Sequence, residues 1–353
     1  MIKDREHQSS LWVSAITLFG ALTLVAGCGG GGGGGGGDTD ASGLINDNGS
    51  DNALVAESAI SPVDLSLFQT GALVSSDVVD CTVGDIQTTC YELVMAGFPA
   101  DQTELGEFCP ETTTTTADDA GIWFDGSGEV YDLTGEFMSS SALFDLYAAT
   151  YGGDWDFVAD DEGNIRVTDT EALCRAAAVP NVPEELANFC VECEIDDVGI
   201  STTTITIPTT PISGESTTGI SDNVGVALNG VLLDGPAPAA AILGGITIAA
   251  FDDCAGHVNP VAGYHYHGAN LCSEAAPETD GHSSLFGYAM DGFPIYSNTA
   301  LAFGGEDDDD LDECRGHTDD VRGYHYHAAG TGENMFVGCF SGLTVAAETR
   351  GRP

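Results

Sequence analysis

Apolar positions recur with a helical period from Thr134 to Tyr151 and from Thr170 to Ala178. Thr134, and Asp169 or Thr170, are the candidate N-caps, because a short oxygen-bearing side chain there accepts from an amide of the first turn. Around these helices the pattern shortens to hairpins. The segments 121–124 and 129–132 flank Asp125-Gly126-Ser127-Gly128, and 155–158 and 164–167 flank 159–163. From Val198 onward the chain turns to β-branched runs broken by Pro and Gly, at 201–207, 225–231 and 245–251. No helix alternates with them as βαβ units would require. The expected fold is α+β, with short helices in the N-terminal half and a predominantly β C-terminal half whose sheet is antiparallel or mixed.

The ends divide differently. Leu11 to Gly27 form an apolar run, short for a membrane span and suited to a secretory signal, which stops at Val25-Ala26-Gly27-Cys28. Small residues followed by cysteine resemble the bacterial lipobox, so residues 1–27 are expected to be a lipoprotein signal peptide, with lipidation at Cys28. An ordinary signal peptide or an uncleaved anchor is the alternative. Gly29 to Gly37 open a flexible tether over 28–60. The expected regions are then a mixed α+β part over 61–197, a β-rich domain over 198–345 and a tail over 346–353. The expected location is the cell envelope, at the outer membrane or cell surface, with the membrane reached through lipid at Cys28.

Charge narrows the partners. Asp and Glu number 56 against 8 Lys and Arg, a formal net charge of −48. A phosphate-reading surface needs clustered Lys and Arg, so nucleic acid is excluded as a partner. Cations, neutral molecules and metal ions remain, and a protein or glycan partner is not specified. With Cys28 set aside, ten cysteines are left: Cys81, Cys90, Cys109, Cys174, Cys190, Cys193, Cys254, Cys272, Cys314 and Cys339. An even number in an exported chain reads as up to five disulfides, so the fold is expected to be disulfide-stapled. Cys190-Val191-Glu192-Cys193 lacks the context of a redox motif and is read as structural.

Apart from His7, every histidine falls between His257 and His327. Residues 252–269 and 312–329 form an internal repeat in which Cys254-Ala255-Gly256-His257 and Gly263-Tyr264-His265-Tyr266-His267 match Cys314-Arg315-Gly316-His317 and Gly323-Tyr324-His325-Tyr326-His327. On a strand, alternate side chains share a face, so the two histidines of each Tyr-His-Tyr-His lie together with the tyrosines opposite. Paired imidazoles of this kind are half of a Cu or Zn site. The candidate ligands are His257, His265, His267, His317, His325 and His327, arranged as one three-histidine group per repeat or as four histidines from two paired strands. Asp252, Asp253, Asp312 and Glu313 are candidates to ligate the metal or brace the imidazoles, with Asp291 and with Tyr264, Tyr266, Tyr324 and Tyr326 behind them. Metal affinity is expected to fall with pH through the ordinary histidine range, as the acids favour the protonated ring.

Weaker signals complete the inventory. Asp291 reads first as turn chemistry. His282-Ser283-Ser284 hints at a nucleophile beside a base. The acidic loops at 160–163 and 306–310 read as solvated turns before calcium sites, since they lack alternating ligand spacing.

The doubled Gly-Tyr-His-Tyr-His, the linking 286–296, the run 311–317, Val337-Gly338-Cys339-Phe340 and the strand 226–231 resemble the YHYH domain family over about residues 200–345. The family consists of exported proteins without an established biochemical role, so the resemblance implies a boundary and no mechanism. Three functions fit: a lipid-anchored metal-binding protein, a metal-dependent hydrolase or oxidoreductase on the same site, and a metal-independent surface-binding or structural module. Whether the chain is an enzyme stays open.

Overall fold

The computed structural model describes residues 60–345, apart from 101–104, 140, 154, 156–158, 169, 180–181, 194–201, 221–222, 261, 270–271, 274–281 and 299–310. The expected signal, Cys28, the tether, the acidic run 306–310 and the tail 346–353 lie outside the described residues. No helix among the described residues is long and apolar enough to cross a membrane.

The N-terminal half opens with a long hairpin of β1 (Leu73–Val83) and β2 (Ile86–Met95). Next come the short pair β3 (Ile122–Trp123) and β4 (Tyr131–Asp132), then helices α1 (Gly135–Ser139), α2 (Ser141–Tyr151) and α3 (Glu171–Ala177), and strand β5 (Phe189–Val191). Thr134 Oγ1 accepts from the Phe137 amide at 3.0 Å, and Thr170 Oγ1 from Leu173 at 3.2 Å, which satisfies first-turn amides that have no partner within the helix. Of the hairpin expected at 155–158 and 164–167, the described residues show an antiparallel bridge between Ala159 and Ile165. Its Asp160 accepts from Glu162, Asn164 and the Asn164 side chain, each at 2.9 Å. That carboxylate caps the turn, as the first reading of the loop expected.

The C-terminal half contributes β6 (Thr203–Pro208), β7 (Ser213–Thr218), β8 (Asn223–Ala227), β9 (Leu232–Asp234), α4 (Ala239–Gly244), β10 (Thr247–Ala249), β11 (Gly256–Asn259), β12 (Gly263–Tyr266), β13 (Leu285–Ala289), β14 (Pro294–Tyr296), β15 (Gly316–Asp319), β16 (Gly323–His327) and β17 (Phe340–Gly342). β6 joins β2 in a three-stranded sheet, and β10 runs parallel to β5. Both strands thus pair with the preceding region. The apolar run 225–231, expected as one strand, is β8 followed by a turn. Gly230 takes φ +94°, and Asn229 Oδ1 accepts from Val231 at 3.3 Å. Asn-Gly favours a tight reversal over continued extension.

The large sheet is mixed and eight-stranded, in the order β11-β12-β9-β8-β13-β14-β16-β15. That order is a palindrome, and the register repeats it. Val226 faces Tyr288 at the centre, with Gly225 opposite Ala289 and Ala227 opposite Gly287. The turns agree as well: Gly230 donates to Ala227 and Gly292 to Ala289, both glycines at positive φ. The sheet is therefore two copies of one four-strand unit related by a pseudo-twofold axis between β8 and β13. The duplication extends well upstream of 252–269 and 312–329, with an offset of 62 (Gly287 against Gly225) in place of 60.

Tyr264, Tyr266, Tyr326 and Phe286 of the sheet cluster with Phe293 and Phe336 from the adjoining loops in one buried core. Val226, Leu232, Leu285 and Tyr296 pack instead on Leu93, Met95, Ile205 and Ile207 of the small sheet. The ten cysteines form five disulfides, Cys81–Cys90, Cys109–Cys190, Cys174–Cys193, Cys254–Cys272 and Cys314–Cys339. Cys190 and Cys193 bond to separate partners, as structural bridges do. Cys254–Cys272 spans the β11–β12 hairpin, and Cys314–Cys339 spans β15–β16.

Candidate metal centres

In each copy a carboxylate begins the hairpin. Asp252 Oδ1 accepts from the amides of Cys254 (3.0 Å) and Gly256 (2.9 Å), and Asp312 Oδ1 from Cys314 and Gly316, both at 2.9 Å. Ala255 and Arg315 take φ +58° and +67° between them. The reversals between Asn259 and Gly263 and between Asp319 and Gly323 then set His257 opposite His265 and His317 opposite His325 in direct cross-strand register. Neighbouring Cβ atoms at such pairs lie roughly 5 Å apart, so two imidazoles reach a common point.

Two groups result. In the first, His257 Nε2 lies 3.1 Å from His265 Nε2 and 3.2 Å from His267 Nε2. In the second, His317 Nε2 lies 2.9 Å from His325 and 3.2 Å from His327, and His282 Nε2 lies 3.0 Å from His325. The candidate ligand atoms within each group all fall within 4.8 Å of one another. β9, β8, β13 and β14 separate β12 from β16, so the alternative of four histidines from two paired strands is overturned. Sequence reading missed His282, which had suggested a nucleophile beside a base. Ser283 Oγ instead lies 3.2 Å from His327 Nδ1.

The outer nitrogens fix the tautomers. His265 Nδ1 faces the Gly263 carbonyl at 3.0 Å, His267 Nδ1 the Gly235 carbonyl at 2.6 Å, and His282 Nδ1 the Ser283 carbonyl at 3.0 Å. His325 Nδ1 faces the Gly323 carbonyl at 2.9 Å and His327 Nδ1 the Ser297 carbonyl at 3.3 Å. A carbonyl only accepts, so each Nδ1 carries the proton and each neutral ring turns a bare Nε2 lone pair inward. His282 and His325 thus oppose two lone pairs at 3.0 Å with no proton between them. A cation placed between two such lone pairs would offset that repulsion.

Burial favours the neutral ring at His257, His265, His267, His325 and His327. It lowers the His257 pKa well below the usual range, helped by His265 and His267, and brings His267 to about 3. Burial first, then neighbouring imidazoles, brings His325 to about 4 and His327 to about 3. His265 is also lowered by burial, partly offset by Asp234, whose Oδ2 lies 3.7 Å from His265 Nε2. The acid-rich surroundings expected to hold protons on the rings therefore lose to desolvation.

The carboxylates expected to brace imidazoles serve the tyrosines instead. Tyr264 donates to Asp252 at 2.6 Å, Tyr324 to Asp312 at 2.8 Å and Tyr326 to Asp291 at 2.6 Å. The fourth tyrosine, Tyr266, accepts from Asn229 Nδ2 at 2.9 Å. Asp291 also accepts from Gly342 at 2.9 Å and Phe293 at 3.2 Å. Glu313 accepts from Thr217 at 3.2 Å, and Asp253 is exposed. These bonds lie across the strand from the imidazoles. Gly256 and Gly316 make the reach possible, because a Cβ at either would overlap the hydroxyl of Tyr264 or Tyr324.

Asn229 stands where Asp291 stands under the 62-residue offset, and it performs the same two tasks. Asp291→Asn is therefore expected to change stability by under about 1 kcal/mol at pH 7, while Asp291→Ala, leaving buried donors unpaired, costs roughly 3 kcal/mol. Burial raises the Asp291 carboxyl to about 6. Its folded pKa lies above its unfolded one, so wild-type stability falls as pH rises from about 4 to about 6, and Asp291→Asn removes that component. Urea denaturation of the three proteins at pH 4.5 and 7 checks both expectations.

Residues 204–308 match the family model described as YHYH protein. The match contains the first histidine group and His282, while the second repeat lies beyond it. No curated protein and no solved structure matches the chain.

Proposed function

We propose that this chain, whose residues 204–308 carry the YHYH domain, is a metal-binding protein of the cell envelope that holds Cu or Zn at two imidazole centres. One observation supports this above all: His282 and His325, whose Nδ1 protons are both held by backbone carbonyls, oppose bare Nε2 lone pairs at 3.0 Å, and in the first group His265 and His267, fixed in the same way, turn theirs toward His257 at 3.1 and 3.2 Å. Ligands about 2.0–2.1 Å from a tetrahedral ion stand about 3.3 Å apart, close to these spacings. A purely structural histidine cluster would instead place a donor against each acceptor. Imidazole suits copper and zinc among the divalent metals. The net charge of −48 draws cations toward the surface. Export and lipidation at Cys28 belong to the same reading, and an oxidising compartment fits five disulfides.

Titration with a competing chromophoric chelator tests it. The wild type is expected to hold two tight metal ions, His265→Ala and the His317→Ala/His325→Ala pair one each, and the combined variant none. Equal stoichiometry in all four proteins would contradict the assignment.

The lowered pKa values also move the pH response. Burial holds His257, His265 and His267 toward the neutral form, so binding at the first centre displaces few protons and its affinity is expected to change by less than about threefold between pH 8 and 6. It falls only toward the folded value near 3 of His267. A tenfold loss of affinity per pH unit below 7 would contradict it.

A further inference from the structure

The two copies differ at the positions that complete the sites. His282 corresponds, under the 62-residue offset, to Ile220, which packs against the tyrosine-face core. Conversely Tyr296, whose ring lies 4.5 Å from His282 and 5.0 Å from His325, corresponds to Asp234. The second group is completed by a fourth imidazole and an aromatic ring; burial does not separate the two groups, since His265 and His267 are buried as His282, His325 and His327 are. The first has three imidazoles and, in place of the ring, a carboxylate with 30% of its side chain exposed, 3.7 Å from His265 Nε2.

We infer that the duplication has split the two centres: His282, His317, His325 and His327 form a closed structural site, and His257, His265 and His267 form an open one. The open site takes water or a small anion in its fourth position, beside Asp234. Four protein ligands saturate a tetrahedral ion, whereas three leave a coordination position for exchange. The Asp234 carboxylate accepts a hydrogen bond from a bound water and repels a competing anion. This rests on the metal reading above.

Cobalt(II) loaded into the full chain, followed by visible absorption during azide titration, tests it. Two cobalt ions per chain are expected, with the spectrum of one responding to azide. The response disappears in His257→Ala and persists in His317→Ala. Asp234→Asn tightens azide binding roughly fivefold by removing the like charge. His282→Ala opens the second site, so that both ions respond; the wild-type count of responsive ions decides the question if that variant fails to fold. Two bound ions with both or neither responding, or a response that survives His257→Ala, would overturn this inference and leave the metal reading standing. No bound cobalt would overturn that reading, and the inference with it.

Discussion

Chelating the metal from the full chain is expected to lower its Tm by on the order of 15 °C. Each site ties the two strands of one hairpin, and the second also captures His282, which lies outside the repeat. A ligand present at a thousand times its Kd stabilises the folded state by about 4 kcal/mol, so two sites contribute about 8 kcal/mol. For a domain of this size each kcal/mol corresponds to roughly 2 °C or more. Calorimetric scans before and after chelation, with the disulfides intact, check this. His265→Ala should show about half the shift, since one centre survives. A Tm unmoved by chelation and by re-addition of Cu or Zn would count against the sites.

Gly287→Ala is expected to cost on the order of 4 kcal/mol and to weaken both centres together. A Cβ at Gly287 would press on the Val226 carbonyl and the Ala227 Cα of the opposing strand, and one at Gly225 on the Tyr288 carbonyl and Ala289 Cα. Backbone cannot yield as the end of a flexible side chain does, so β8 and β13 must separate. These strands join the two copies, and every path through the sheet from one hairpin to the other crosses them. Gly219, with nothing within 4 Å of a Cβ, is the control: its Ala variant should be nearly neutral. Chemical denaturation of the three proteins, with metal stoichiometry measured alongside, separates the outcomes. A Gly287→Ala protein as stable as Gly219→Ala would refute the close approach at the axis.

The histidine hairpins were legible because two periodicities agree. Alternation puts His265 with His267, and the eight-residue step from His257 to His265 leaves room for one reversal, at Asn259 to Gly263. The fuller duplication was hidden, because 225–235 and 287–297 share few residues and the offset shifts from 60 to 62, so an ungapped comparison loses them. His282 had no counterpart to mark it. Its one signal was that every other histidine beyond His7 belongs to a repeat. The carboxylates misled for a geometric reason. Asp252 and Asp312 precede strands whose imidazoles face one way, but the positive-φ turn and a glycine without Cβ return them to the tyrosine side. The 225–231 run failed as a single strand for the opposite reason: its apolar pattern continued through an Asn-Gly reversal that burial on both sides concealed.

Elemental analysis of the full chain, purified without a histidine tag or chelator, tests the central claim most directly. The account predicts about two equivalents of Cu or Zn per chain, retained through gel filtration. A well-folded protein with five intact disulfides and no transition metal, unable to take any up, would contradict it.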